Sequence, residues 1–162
     1  MNSKLLKAAV LALTFFVSGC ELAVASLGVA GARAANKQAQ KTQTAVIIQN
    51  IILALDQYKR DMGSYPMTDD PKEISNALTG FSNGPDLQDA RYYKDPKWRG
   101  PYFDPDKKHY FQGKNNEAIV DAWGNPLNFR ILEPKFNRFK FDVWSNGPNG
   151  INDNGELDDI RP

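Results

Sequence analysis

Four carboxylates, Asp153, Glu156, Asp158 and Asp159, fall within seven residues near the end of the chain, with no Lys or Arg among them. They belong to the stretch Ser145-Asn146-Gly147-Pro148-Asn149-Gly150-Ile151-Asn152-Asp153-Asn154-Gly155-Glu156-Leu157-Asp158-Asp159-Ile160, which is rich in turn formers and poor in apolar side chains. Such a loop repels itself unless it is fully solvated or encloses a cation. Hard cations such as calcium take about six to eight oxygen ligands, from carboxylates, Asn side chains and backbone carbonyls. The Asn-Gly pairs at 146-147, 149-150 and 154-155 supply tight turns that could wrap the chain around an ion. The plainer alternative is a solvated acidic tail.

Other chemistry has little to work with. His109 is the only histidine and lies in a Lys-Lys-His-Tyr run typical of a wet loop. No Ser/His/Asp grouping, zinc ligand set or phosphate-cradling Gly loop can be placed, which points away from an enzyme. Lys plus Arg number 20 and Asp plus Glu 19, so no global charge implies a nucleic acid partner. Cys20 is the one cysteine and excludes an intrachain disulfide.

Cys20 has its own context. Lys4 and Lys7 make a short positive segment, Leu5 to Val17 is an apolar run of signal-peptide length, and Val17-Ser18-Gly19-Cys20 follows. Small residues before a cysteine at this place resemble the lipobox of bacterial lipoproteins. That resemblance implies cleavage before Cys20 and acylation of its thiol and amine. Acyl chains hold a protein on a bilayer at about 0.8 kcal/mol per buried CH₂. An uncleaved membrane helix is the alternative, since Leu5 to Ala32 is long enough to span. Glu21 opposes it, because a carboxylate in mid-bilayer is costly. The expected organisation is a signal peptide over 1–19, a small-residue tether over 20–35 and a head domain over 36–162.

The elements that must position the acidic loop are legible in outline. Ile47, Ile51, Leu55, Tyr58 and Met62 recur at helical spacing, with Ile48 and Ile52 widening the face. They predict one long helix from about Asn36 to Met62, with Asp56 and Arg60 as an ion pair one turn apart and Gly63 as its stop. A short helix is expected over Asp69 to Leu78, capped by Asp69 or Asp70 with Pro71 in its first turn. Gly80 to Phe111 reads as a long loop fixed by Trp98, Tyr102, Phe103 and Tyr110. Leu127 to Leu132 and Phe139 to Trp144 alternate as two strands, turning at Pro134 to Asn137, and Ala118 to Asp121 could add a third. The fold class is α+β: a long helix packed on a small antiparallel sheet.

The order of these features is recognisable. Leu55-Asp56-Gln57-Tyr58-Lys59-Arg60-Asp61-Met62-Gly63-Ser64-Tyr65-Pro66 is followed by Trp98-Arg99-Gly100-Pro101-Tyr102, then Asp121-Ala122-Trp123-Gly124-Asn125-Pro126, then the terminal loop. Over Ala35 to Ile160 the chain resembles the major, G-type pseudopilin of type II secretion systems, within the type IV pilin-like superfamily. The resemblance implies a non-enzymatic envelope protein whose partners are other pseudopilins and secretion-machine proteins, with self-association a further option. Trp123 would plug the space between helix and sheet.

It also implies a structural calcium ion in the terminal loop. Asp159 matches the family's loop aspartate, and Asn149 stands where the family often has Asp. Asp153 and Asp158 could compensate, Glu156 lies among them, and carbonyls near Trp144, Asn146 or Ile151 would complete the shell. Fewer charged ligands predict weaker binding.

The N-terminus departs from the family pattern of Gly, Phe and a Glu a few residues on. Here Gly19 precedes Cys20, and the acid is Glu21. The reading is therefore a pseudopilin-like head on a lipid anchor at Cys20, in the periplasm or at the cell surface. Two alternatives stay open. One is a calcium-dependent lipoprotein that binds an unrelated ligand through the aromatic loop Tyr92 to Tyr110; the other is a conventional membrane-helix pseudopilin.

Overall fold

The computed structural model describes residues 3–81, 90–104, 118–137 and 140–162, with side chains from residue 31 onward except that of residue 90. Helix α1 covers Ser3–Met62, α2 Pro71–Thr79 and α3 Ala90–Tyr93; strands β1 and β2 cover Asn128–Arg130 and Asp142–Trp144. The chain divides into two compact units, Met1–Ala39 and Gln40–Pro162. The fold class is the expected α+β.

Within the second unit, α1 buries the face that its apolar spacing defines: Ile47, Ile48, Ile51, Leu55 and Tyr58, with Ile52 and Met62 half-buried beside them. Each such side chain contributes about 1.5–3 kcal/mol on full burial. Gly63 ends the helix at φ +88°, its N–H donating to the Lys59 carbonyl at 2.8 Å. Asp56 does not serve the local pair with Arg60. It accepts instead from Lys140 Nζ and from the Tyr65 hydroxyl, both at 2.9 Å, so it ties α1 to the hairpin and to its own exit turn.

The two candidate caps of α2 divide the work. Asp70 is the N-cap and accepts from the Lys72 N–H at 2.9 Å, with Pro71 at the first helical position. Asp69 reaches across to the hairpin and accepts from the N–H groups of Ile131 and Leu132 at 2.6 and 3.1 Å. Gly80 caps the other end at φ +76°, and a Cβ there would lie 2.7 Å from the Trp98 ring, so only glycine lets the indole close over the helix end. Trp98 is buried, donates its Nε1–H to the Ala77 carbonyl at 3.1 Å, and contacts the rings of Tyr92, Tyr93 and Tyr102. Trp98 and Phe103 thus fix the loop as expected; Tyr110 lies outside the described residues.

The sheet pairs β1 with β2 antiparallel, Phe129 opposite Val143. Leu127, Phe129, Ile131, Phe141 and Val143 face the core, as the alternation predicts; Phe139 is outside the described residues. Both strands are shorter than expected. The backbone leaves the ladder because Asp142 gathers the turn: its buried carboxylate accepts from the N–H groups of Lys135, Phe136 and Asn137 and pairs with Arg130 at 3.4 Å. Ala118 to Asp121 is not a third strand. Val120 makes one isolated bridge to Pro126, and the chain turns at once because Asp121 accepts from the N–H groups of Trp123 and Asn125 at 2.9 Å. Trp123 is only half-buried and is not part of the core; the buried tryptophans are Trp98 and Trp144.

Candidate functional site

The acidic loop begins and ends on one backbone pair. Ser145 and Ile160 exchange both N–H to O=C bonds at 3.0 Å, which brings the two ends of the stretch together beside β2. The Ser145 hydroxyl donates to Asp121 at 2.6 Å and accepts from the Gly147 N–H at 3.0 Å, anchoring the loop to the Asp121 turn. A single 3-10 turn over Gly147–Asn149 follows, and Gly147 sits at φ +64° against the Asp158 backbone, where a Cβ would not fit. The sequence reading missed the part played by Asp121. Its signal is Asp two and four residues ahead of the N–H groups that it binds, within a Trp-Gly-Asn-Pro turn.

The loop interior is organised by Asp159. Its Oδ2 accepts from the N–H groups of Asp153 and Gly155 at 3.0 and 2.7 Å. The Glu156 N–H donates to the Asp153 carbonyl and the Asp159 N–H to the Glu156 carbonyl, so the chain winds tightly between the two aspartates. Asp153 Oδ2 and Asp159 Oδ1 are buried and have no hydrogen-bond partner. Orphaned buried acceptors are rare and cost free energy comparable to a lost bond. Burial pushes the Asp159 carboxyl above its usual range; the N–H groups of Gly155 and Asp153 oppose that, and the charges of Asp153 and Asp158 add to it.

The other candidate ligands are placed differently. Asp158 accepts from the Asn149 side-chain amide at 2.5 Å, and the Asn149 carbonyl oxygen accepts from the Ile151 N–H at 2.6 Å. Glu156 is exposed. Of the five side chains, then, Asp153 and Asp159 converge in the loop, Asn149 and Asp158 pair beside it, and Glu156 stands in solvent. No group of three or more His, Cys, Asp or Glu suited to hold a metal occurs among the described residues, so any cation there would draw most of its ligands from neutral oxygens. A polar ladder supports the loop on the sheet: Trp144 Nε1 donates to Asn152, Asn152 to Asn128, and Asn128 to Asn146.

The aromatic stretch weighed as a ligand surface is mostly core. Trp98 and Phe103 are buried, and the Tyr102 hydroxyl is engaged with Asp61 and the Arg99 N–H, which leaves Tyr93 as its exposed ring among the described residues. His109 and the side chain of Cys20 lie outside the described residues.

A helix stopped by glycine, an aromatic clamp at the end of a second helix, a short hairpin and a loop closed by acids make up this α+β unit. The family described as type II secretion system (T2SS), protein G, matches residues 32–161. The chain belongs to that family. No curated protein and no solved structure matches it. As a G-family pseudopilin it is a structural, non-enzymatic component of type II secretion, a cell-envelope protein that works with other proteins of the secretion machine.

Proposed function

We propose that this pseudopilin head is held at a membrane by acylation of Cys20 and that its terminal loop binds a structural calcium ion. The observation that carries the metal is the pair of buried, unpartnered oxygens, Asp153 Oδ2 and Asp159 Oδ1, in a loop closed at both ends. Asp153 and Asp159 would supply the charge. Asp158, Asn149 and Glu156 are near enough in sequence to contribute, and carbonyls near Trp144, Asn146 or Ile151 would fill the remaining positions. When bound, calcium neutralises the two acids and removes the cost of their unpaired oxygens. The anchor rests on Val17-Ser18-Gly19-Cys20 at the end of the apolar run. Acylation there would keep the head beside the membrane from which a secretion fibre rises.

Two measurements test the two halves separately. Intact mass of the membrane-extracted protein, compared with Cys20→Ala, is expected to give a chain beginning at Cys20 with added acyl mass. An unacylated chain would sink the anchor and restore the conventional membrane-helix pseudopilin. Melting in calcium against melting in chelator tests the loop. Calcium at about 100 times its Kd is expected to add about 2.7 kcal/mol, and Asp159→Asn is expected to abolish the difference. Equal melting of the wild type in both conditions would leave the loop a metal-free acidic turn.

A further inference from the structure

Arg33, Lys37 and Lys41 follow one another at intervals of four, and they are the only charged residues between Glu21 and Asp56. All three lie in α1, where that interval puts side chains on one face. Arg33 and Lys37 are exposed and Lys41 is half-buried. None of them makes an ion pair or a side-chain hydrogen bond among the described residues. Bases later in the chain are placed differently: Arg91 meets Glu73 at 3.3 Å, Arg130 meets Asp142 at 3.4 Å and Lys140 meets Asp56 at 2.9 Å.

Like charges four residues apart on a helix repel, and an acid at the same spacing would stabilise it. A face that only water covers therefore gains from mixed signs. This face keeps one sign throughout, which suits an anion outside the chain. Its position says which anion. Leu22 to Ala32 holds no charge and, apart from Ser26, no polar side chain, and the run ends at Arg33. Arg33 is thus the first charge beyond the segment that meets the lipid phase, whether an acyl group on Cys20 or the helix itself is the anchor. Lipid headgroups flank the hydrocarbon core at that level. A guanidinium matches a phosphate with two parallel N–H bonds, and a lysine reaches the headgroups while its stem stays on apolar surface. Each four-residue step along a helix adds about 6 Å. Lys37 therefore stays within the screening length of about 8 Å from Arg33, and Lys41, at about 12 Å, lies past it.

We infer that Arg33 and Lys37 form a contact site for the phosphates of anionic phospholipids and so fix where α1 leaves the membrane. Lys41 adds less, through its distance and its partial burial. The competing occupant is an acidic protein surface. Nothing requires such a surface at the end of an apolar run, whereas headgroups are always there. The inference rests on the placement of this chain at a membrane; it needs neither the cation nor one particular anchor.

The test places the full chain in phosphatidylcholine vesicles with spin-labelled phosphatidylglycerol or spin-labelled phosphatidylcholine as the probe. The readout is the ratio of the two probes in the motionally restricted lipid around the protein. At low salt the wild type is expected to favour phosphatidylglycerol about fivefold or more, and high salt is expected to remove the preference. Arg33→Gln with Lys37→Gln should bring the ratio to one. Lys41→Gln should lower it less, and Lys97→Gln, at an exposed base far along the chain, should leave it unchanged. The melting temperature of the double variant should match the wild type, which separates a contact role from a folding role. A preference that survives the double substitution, or falls equally with Lys97→Gln, would overturn the contact. So would photoreactive benzoylphenylalanine at position 37 that captures an acidic envelope protein and no lipid in cells. Restricted lipid without selectivity in the wild type would overturn the contact alone, whereas no restricted lipid of either kind would overturn the membrane placement with it.

Discussion

Around Leu55 the head is closed: Ile51, Leu78, Leu127 and Phe129 belong to the same apolar core, and the Trp98 indole N–H is matched to a carbonyl. Around Asp159 it is built the other way. Turns, glycines and carboxylates hold the chain, and two oxygens are left without partners. The first region derives its stability from burial and needs nothing from outside. The second has the shape of a folded loop but an incomplete set of interactions. In one small head, the apolar core fixes where the loop's ends are, and the loop's own acids and turns set the path between them.

The largest expected effect breaks the core. Leu55→Ala removes a fully buried side chain from the helix face and is expected to cost about 2–5 kcal/mol. The measurement is the denaturant midpoint in calcium and in chelator. The loss should be of similar size in both, because the cavity is in the apolar region and the cation would act on the loop. A loss confined to one condition would mean that the two regions are not separable in this way.

An intermediate effect is expected in the loop. Gly155 sits at φ +83°, and a Cβ there would lie 2.5 Å from Phe136 Cε2 and 3.3 Å from the Arg161 side chain. Gly155→Ala combines a left-handed strain with a ring contact and is expected to cost about 1–3 kcal/mol. Adding Phe136→Ala should recover only part of the loss, since it relieves the contact and not the backbone. Full recovery would show that crowding against the ring, and not the backbone conformation, is what requires glycine.

Much of the first region was legible in the sequence and less of the second. Helical spacing from Ile47 to Met62 names the buried face, and Gly63 names its end. Alternation at Leu127, Phe129, Ile131, Phe141 and Val143 names the inner face of the hairpin. Periodicity records burial and nothing else. It could not tell that Asp69, Asp121 and Asp142 would each turn inward to bind backbone N–H groups, because their partners are set by where the chain returns. For the same reason Asp56 looked like a partner for Arg60 when its partners are Lys140 and Tyr65. In the loop, composition marked the acids, but only the tertiary fold distinguishes Asp153 and Asp159, which meet, from Glu156, which remains in solvent.

The smallest effect is expected beside the apolar region, at the polar contact where α1 meets its exit turn and the hairpin. Burial raises the Tyr65 hydroxyl to about 12, and the hydrogen bond and charge of Asp56 add to the rise. For Asp56, burial works toward a higher value, but hydrogen bonds from Lys140 and Tyr65, with the charges of Lys140 and Lys59, hold it below 3.8. The Lys59 ammonium also lies 4.4 Å from the Tyr65 ring centre, and Phe141 packs edge-on against that ring. A tyrosine whose folded value is raised contributes stability in full below its unfolded value of about 10. That contribution is lost as the pH climbs through its folded value of about 12. Tyr65→Phe keeps the ring packing and removes the bond, so it is expected to cost about 1 kcal/mol at pH 8. Denaturant melts of the two proteins from pH 8 upward should converge as the wild type loses its bond. A difference constant through pH 12 would assign the cost to packing and remove the hydroxyl from the set of contacts that join helix to hairpin.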